Sequence, residues 1–191
     1  LVAILPSHKG VITMNTTIRQ IALILAAITA AAPGLAGMVI QPIEFYSPAQ
    51  RSSAFDGCAD LFPGGRPIPL TIVSQEWKPR GLCSDSFAVL HSGRSKTPLV
   101  VVERMNHAQL LDAKGEPRFN QFFPDPRLPD GERAHLDDYK GSGFDRGHMA
   151  AAGNAPTSNA MAQSFSLANI VPQDPTNNQK IWKKLEADTR K

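Results

Sequence analysis

The stretch GSGFDRGHMAAAGN, residues 141–154, sets Arg146 and His148 two apart beside Asp145, among glycines and alanines. If this stretch is extended, Phe144, Arg146 and His148 point to one side and Asp145 and Gly147 to the other. Arginine grips phosphate through a planar fork of donors, and histidine, with an ordinary pKa of about 6.5, exchanges protons near neutrality. Together they suggest cleavage of a phosphate ester. Gly147 removes a side chain where another segment or a ligand must come close. Asp145 is better placed to brace structure than to react. By itself the pair is no more than an Arg-x-His, a combination that ordinary surfaces and interiors also contain.

A second group of side chains lies on the last predicted helix, in TNNQKIWKKLEADTRK. Thr176 and Gln179, after Pro175, make the T-x-x-Q pattern of a capping box, which starts a helix at Asn177. Ile181, Trp182 and Leu185 form one apolar stripe. Asn178, Trp182 and Glu186, four apart, set an amide and a carboxylate on either side of the indole. Lys180, Lys183 and Lys184 fall mostly on a solvated side.

These groups need a scaffold. Phe87–Ser92 and Thr97–Met105 are β-rich apolar runs split by the turn sequence GRSK, so they read as a hairpin at the centre of a sheet. From His107 to Lys140 the chain is polar and dotted with prolines, an irregular connection of a length that is usually functional. Within it Arg118 stands beside Phe119, Phe122 and Phe123, which would either stack on bases or pin the loop to the core. After FDRGH come a small-residue loop to Gln163 and an apolar strand, FSLANIV. The packed domain is expected to run from about Ala54 to the end, after an irregular lead-in at 37–53.

The first 36 residues read differently. Met14 opens a stretch in which Arg19 supplies a positive start, Ile21–Ala32 an apolar run and Gly34-Leu35-Ala36 a small-residue cleavage site, so 14–36 is expected to be a signal peptide. Residues 1–13 would then be translated upstream sequence. An uncleaved anchor is the rival reading, and Pro33 and Gly34 speak against it. Setting Lys9 and Arg19 aside lowers the formal charge from +3 to +1, which permits a nucleic-acid ligand without demanding one. Export would make one disulfide the simplest state of Cys58 and Cys83, with two buried thiols as the alternative. His91, His107 and His135 lack partners at metal-ligand spacing and are expected to be structural or solvated.

GSGFDRGHMAAAGN, followed at the right distance by SFSLANIVPQDPTNNQKIWKKLE, resembles the DNA/RNA non-specific endonucleases of the ββα-metal superfamily, the endonuclease G-like group. FAVLHSGRSKTPLVVVERM and PRFNQFFPDP extend the resemblance over roughly Leu82 to Glu186. It implies an α+β fold with a mainly antiparallel central sheet and flanking helices, and cleavage of DNA and RNA phosphodiesters. In that likeness His148 is the general base, and Asn178 the protein ligand of one Mg2+, or of Mn2+ in its place. Glu186 holds metal-bound water or a neighbouring group, while Arg146 and Arg118 face the phosphate. Asp145, Asn169 and Gln173 brace these groups.

The signal peptide implies a periplasmic or secreted enzyme without stable membrane association once it is cleaved, and a homodimer and an inhibitor protein are the protein partners considered beside the DNA and RNA substrates. Similar chains continue past this helix, so a C-terminally incomplete domain is expected. The alternative function is an inactive nucleic-acid- or partner-binding remnant of the same fold.

Overall fold

The computed structural model describes Val2, Ala3 and residues 54–191. The expected signal peptide at 14–36, the lead-in at 37–53 and nearly all of 1–13 lie outside the described residues. Among those described, no helix is long and apolar enough to cross a membrane.

The architecture is a mixed α+β fold around a four-stranded sheet. Its centre is the expected hairpin: β3 (Phe87–Ser92) and β4 (Thr97–Glu103) pair antiparallel from Phe87↔Glu103 to Ser92↔Thr97, with an irregularity at Leu90/His91. β2 (Pro79–Cys83) flanks β3 antiparallel, and the two-residue β1 (Val2–Ala3) pairs parallel to β4. The hairpin is apolar at successive positions because both its faces are covered. Alternation sends Ala88, Leu90 and Val102 to a cluster with Phe55, Leu61 and Phe62, and Phe87, Val89 and Val101 to one with Leu82, Leu128 and Ala168. Cys58 and Cys83 form a disulfide, with Cα atoms 5.6 Å apart, fastening the stretch before the sheet to β2.

Several elements differ from the sequence reading. β2 carries a proline and a glycine and has no strand-like composition. Gly81 is nevertheless needed there, since a Cβ would come within 2.5 Å of the Ala54 side chain. α1 (His107–Ala113) opens the supposedly irregular connection, capped by Asn106, whose Oδ1 accepts from the Gln109 N–H at 3.0 Å. α2 (Ser158–Ser164) replaces the expected small-residue loop, and the hydroxyl of Thr157 caps it. The run FSLANIV is a strand only at its end, because Leu167–Asn169 forms a 3-10 turn before β6 (Ile170–Gln173).

β6 pairs antiparallel with β5 (Asp145–His148) in a separate two-stranded sheet, His148 opposite Ile170 and Asp145 opposite Gln173. The closing helix begins with a π-helical segment, Asn177–Trp182, and continues as α3 (Lys183–Thr189). Its cap is Asp174, not Thr176: the Asp174 carboxylate accepts from the Asn177 N–H at 2.9 Å, and Thr176 already has helical angles and makes no cap bond. Aspartate is the stronger cap, and Pro175 then takes the first helical position, where its missing N–H costs nothing. Ile181 and Leu185 of the expected stripe are 64% and 50% exposed, and Trp182 alone of the three is half-buried.

Candidate active site

β5 is delivered by a turn in which Gly141 and Gly143 hold φ of +71° and +81°, values that disfavour other residues. Within the strand Gly147 is required by a neighbour. A Cβ there would lie 2.0 Å from Oε1 of Gln173, across the sheet. The close approach expected from the sequence is therefore made by a side chain of the paired strand.

Arg146 and His148 share a surface. The Arg146 guanidinium lies 4.3 Å from the centroid of Phe122, and the His148 ring packs at 5.4 Å from Phe122 and edge-on at 4.9 Å from Phe165. His148 is only 8% exposed, and its Nε2 has no hydrogen-bond partner among the described residues. Burial, helped by the nearby charge of Arg118, pushes the imidazole pKa down to about 3. The ring is thus neutral at physiological pH, the form a base requires.

The backbone around His148 is clamped. Trp182 donates from its indole Nε1 to the His148 carbonyl at 3.0 Å. Asn169, fully buried, accepts from the Ala150 N–H and donates to the carbonyls of Ala150 and Ser164, each at 2.9 Å. Phe119 and Phe122 pack against Phe165, and Phe123 exchanges backbone hydrogen bonds with Phe165 and Leu167. All three phenylalanines therefore pin the long connection to the core. Further along, buried Asp125 accepts from Ser166 and Arg127, anchoring the FPDPR segment.

Asp145 reaches across to the closing helix. Its Oδ2 accepts from Nδ2 of Asn178 at 3.0 Å and from Nε2 of Gln179 at 2.8 Å, and these two bonds hold its carboxyl below the usual range. The bond from Asn178 fixes its amide so that Oδ1 has no hydrogen-bond partner among the described residues. Gln179, expected to cap the helix, is spent on Asp145 instead.

These residues meet at an open cleft of about 600 Å³, lined by Arg118, Arg146, His148, Asn178 and Glu186. Lys183 and Arg190 also line it. Lys183 was expected on the solvated side. It joins the cleft because the π-helical segment widens the turn, so that residues five apart, here Asn178 and Lys183, share a face. Arg190 was not singled out from sequence, although it stands one helical turn beyond Glu186. Three arginines and a lysine against one carboxylate make the cleft cationic despite the small charge of the chain, as suits a polyanion. Burial raises the Glu186 pKa, against Arg190 and Arg118, which lower it. Asn169 and Gln173 are not cleft-lining. His91 is fully buried with Nε2 2.9 Å from the Glu132 carbonyl, a structural placement.

The donor set suits a hard cation. A free amide oxygen on Asn178 and the Glu186 carboxylate offer oxygen to an ion such as Mg2+, which keeps several waters and needs few protein ligands. Among the described residues no three His, Cys, Asp or Glu side chains gather as a metal cage.

Residues 72–191 match the family model described as DNA/RNA non-specific endonuclease. Among curated proteins, mitochondrial nuclease EXOG of Homo sapiens is 38% identical over 105 residues, which cover 54% of this chain and 28% of the relative. Mitochondrial endonuclease G of Homo sapiens is 39% identical over 107 residues, covering 56% and 36%. The chain thus spans about a third of the length of these relatives. A crystal structure of the EndoG/EndoGI complex, concerned with the mechanism of EndoG inhibition, aligns with a TM-score of 0.54 at 29% identity over 58% of this chain and 46% of that one. The periplasmic or secreted location expected from the sequence is overturned by these names, since both curated relatives are mitochondrial nucleases.

Proposed function

The chain belongs to the DNA/RNA non-specific endonuclease family, and on that premise we propose that it hydrolyses phosphodiester bonds of DNA and RNA at the cationic cleft. The observation that carries this reading is the convergence on one cleft of His148 and Arg146 from β5, Arg118 from the long connection, and Asn178 and Glu186 from the closing helix.

His148 serves as general base. Neutral because it is buried, it takes a proton from a water that attacks phosphorus in line, and the bond from phosphorus to the leaving oxygen breaks as the new one forms. Arg146, braced on the face of Phe122, and Arg118 meet the negative charge that builds on the phosphoryl oxygens. Asn178, through Oδ1, would hold Mg2+, with Glu186 orienting the water around it. Bound there, the ion supplies charge stabilisation to the phosphoryl and leaving oxygens. Asp145 keeps Asn178 turned the right way, and Trp182 and Asn169 keep the histidine in register.

General-base help is worth typically ~10²–10⁴-fold, so the larger part of the acceleration falls to the cations. Contacts to phosphate carry no sequence information, in keeping with cleavage indifferent to base sequence. An inhibitor protein is the partner class suggested by the EndoG/EndoGI structure.

The test is cleavage of supercoiled plasmid and of RNA, with Mg2+ and with EDTA, beside His148→Ala. Metal-dependent cutting of both substrates that the substitution abolishes supports the enzyme. A folded protein that binds nucleic acid without cutting it would instead be the inactive remnant.

A further inference from the structure

β4 ends in a carboxylate that the mechanism above does not use. Glu103 is 3% exposed, and no Lys, Arg or His among the described residues forms an ion pair with it. A buried carboxyl without a cation is costly and is kept only where something compensates. Its partner is Asn154, itself 5% exposed, which donates Nδ2 to Oε2 of Glu103 at 2.9 Å. On the other side Oδ1 of Asn154 accepts from Nη1 of Arg190 at 3.0 Å. Arg190 lines the cleft and lies close over Gly153, where a Cβ would stand 3.3 Å from Cζ and Nη1.

We propose that Glu103 is a positioning residue which, through Asn154, fixes the guanidinium of Arg190 in the cleft for a backbone phosphate of the nucleic-acid substrate. The polarity of the relay is the physical reason. Burial pushes the Glu103 carboxyl up to about 7, so above that pH it is ionised, only accepts hydrogen bonds and dictates which end of the Asn154 amide faces it. The amide must then present its oxygen to Arg190, and a guanidinium, which only donates, is the group that such an oxygen can hold. The relay joins the central sheet, the turn at Ala152–Asn154 and the end of α3. It pre-orders a side chain that would otherwise lose rotamer freedom on binding. Gly153 keeps the space over the turn open for the arginine.

The proposal rests on the nuclease reading, and its test keeps the two apart. The full chain is titrated at pH 8, in EDTA to stop turnover, with a fluorescent single-stranded oligonucleotide at several salt concentrations. Each phosphate contact contributes about 0.7 to the slope of log K against log salt. Arg190→Gln is expected to lower the slope by about that amount, Glu103→Leu and Asn154→Leu to lower it equally, and either one added to Arg190→Gln to lower it no further. Glu103→Gln, whose Oε1 can still accept from Asn154 while Arg190, which only donates, holds the other end of that amide, is expected to keep a slope near wild type. A merely structural Glu103 would change the melting temperature and leave the slope alone.

An unchanged slope in folded Glu103→Leu, or a loss that adds to that of Arg190→Gln, overturns the proposal. If Glu103→Leu does not fold, Asn154→Ala takes its place: a lowered slope supports the relay, and an unchanged or additive one overturns it. Wild-type protein that neither binds the oligonucleotide nor cuts plasmid overturns the nuclease reading itself, and the proposal with it.

Discussion

The indole Nε1 of Trp182 donates to the backbone carbonyl of His148 at 3.0 Å. A side chain on the closing helix thereby holds the residue that ends β5, so the histidine and the helix bearing Asn178 cannot drift independently. Trp182→Phe keeps most of the packing and removes this bond. The expected cost is about 1 kcal/mol of stability, with kcat down on the order of tenfold and KM little changed, because positioning is lost and binding is not. Urea denaturation and steady-state kinetics on plasmid measure the two parts. An unchanged kcat in a destabilised variant would reduce Trp182 to packing.

Asp145 fixes Asn178 through Nδ2 and leaves Oδ1 for a cation. Asp145→Ala releases the amide to rotate. Groups that orient a metal ligand are typically worth ~10–100-fold in metal affinity or activity, so the Mg2+ concentration that gives half-maximal cleavage is expected to rise within that range. The same Mg2+ requirement in variant and wild type would detach Asp145 from the metal.

Gly147 has no room for a Cβ, because Gln173 Oε1 occupies the place. Gly147→Ala is expected to destabilise the β5–β6 pair and to abolish cleavage. Combining it with Gln173→Ala removes the clash, and the double variant is expected to recover much of the stability that the single one loses. Thermal melts of the three proteins decide the matter, and purely additive losses would refute the steric explanation.

His148 has a folded pKa of about 3 against about 6.5 in the unfolded chain, chiefly through burial. Below about 6.5 the unfolded chain takes up a proton that the folded one refuses, so stability is present above that pH and is lost as pH falls toward 3. At pH 5 the loss from this group is about 2 kcal/mol relative to pH 7.5. Denaturation of metal-free wild type and His148→Ala at both pH values should show the gap between them narrowing by that amount on acidification. A gap that stays constant would mean that the imidazole titrates normally.

The Cys58–Cys83 disulfide closes a loop with a sequence separation of 25. A cross-link of this span constrains the unfolded chain by about 3 kcal/mol. Cys58→Ala with Cys83→Ala is expected to lose about that much stability while leaving kcat unaltered, since the bond joins β2 to the preceding stretch and not to the cleft. Calorimetry beside plasmid cleavage checks both statements.

The hairpin and the DRGH strand were legible because their signals are local. β-branched runs flank a short turn in one, and a glycine separates the two polar groups in the other. The sides taken by Arg146 and His148 followed from strand alternation alone. β2 was hidden because its pairing depends on β3 and on the space that Gly81 leaves for Ala54, neither of which is written in Pro79–Cys83. α1 could have been found, since Asn106 and Gln109 stand at cap spacing, but the proline-rich sequence after it obscured the start. The place of Lys183 and the exposure of Ile181 depend on a π-helical segment, and a period of 3.6 residues cannot foresee that. Arg190 and Glu103 escaped notice because Asn154, the residue joining them, is distant from both in sequence.

The π-helical segment at Asn177–Trp182 makes chain length itself a determinant of the cleft. Removing one residue from it would let the turn close to ordinary helical pitch, because residues five apart across a π turn share the face that residues four apart share across an α turn. Glu186 and Arg190 would then keep their side of the helix. A residue lost within Asn177–Trp182 should therefore be absorbed, whereas one lost from α3 would turn Arg190 off the cleft by about 100°, so where the length of the closing helix changes matters more than that it changes.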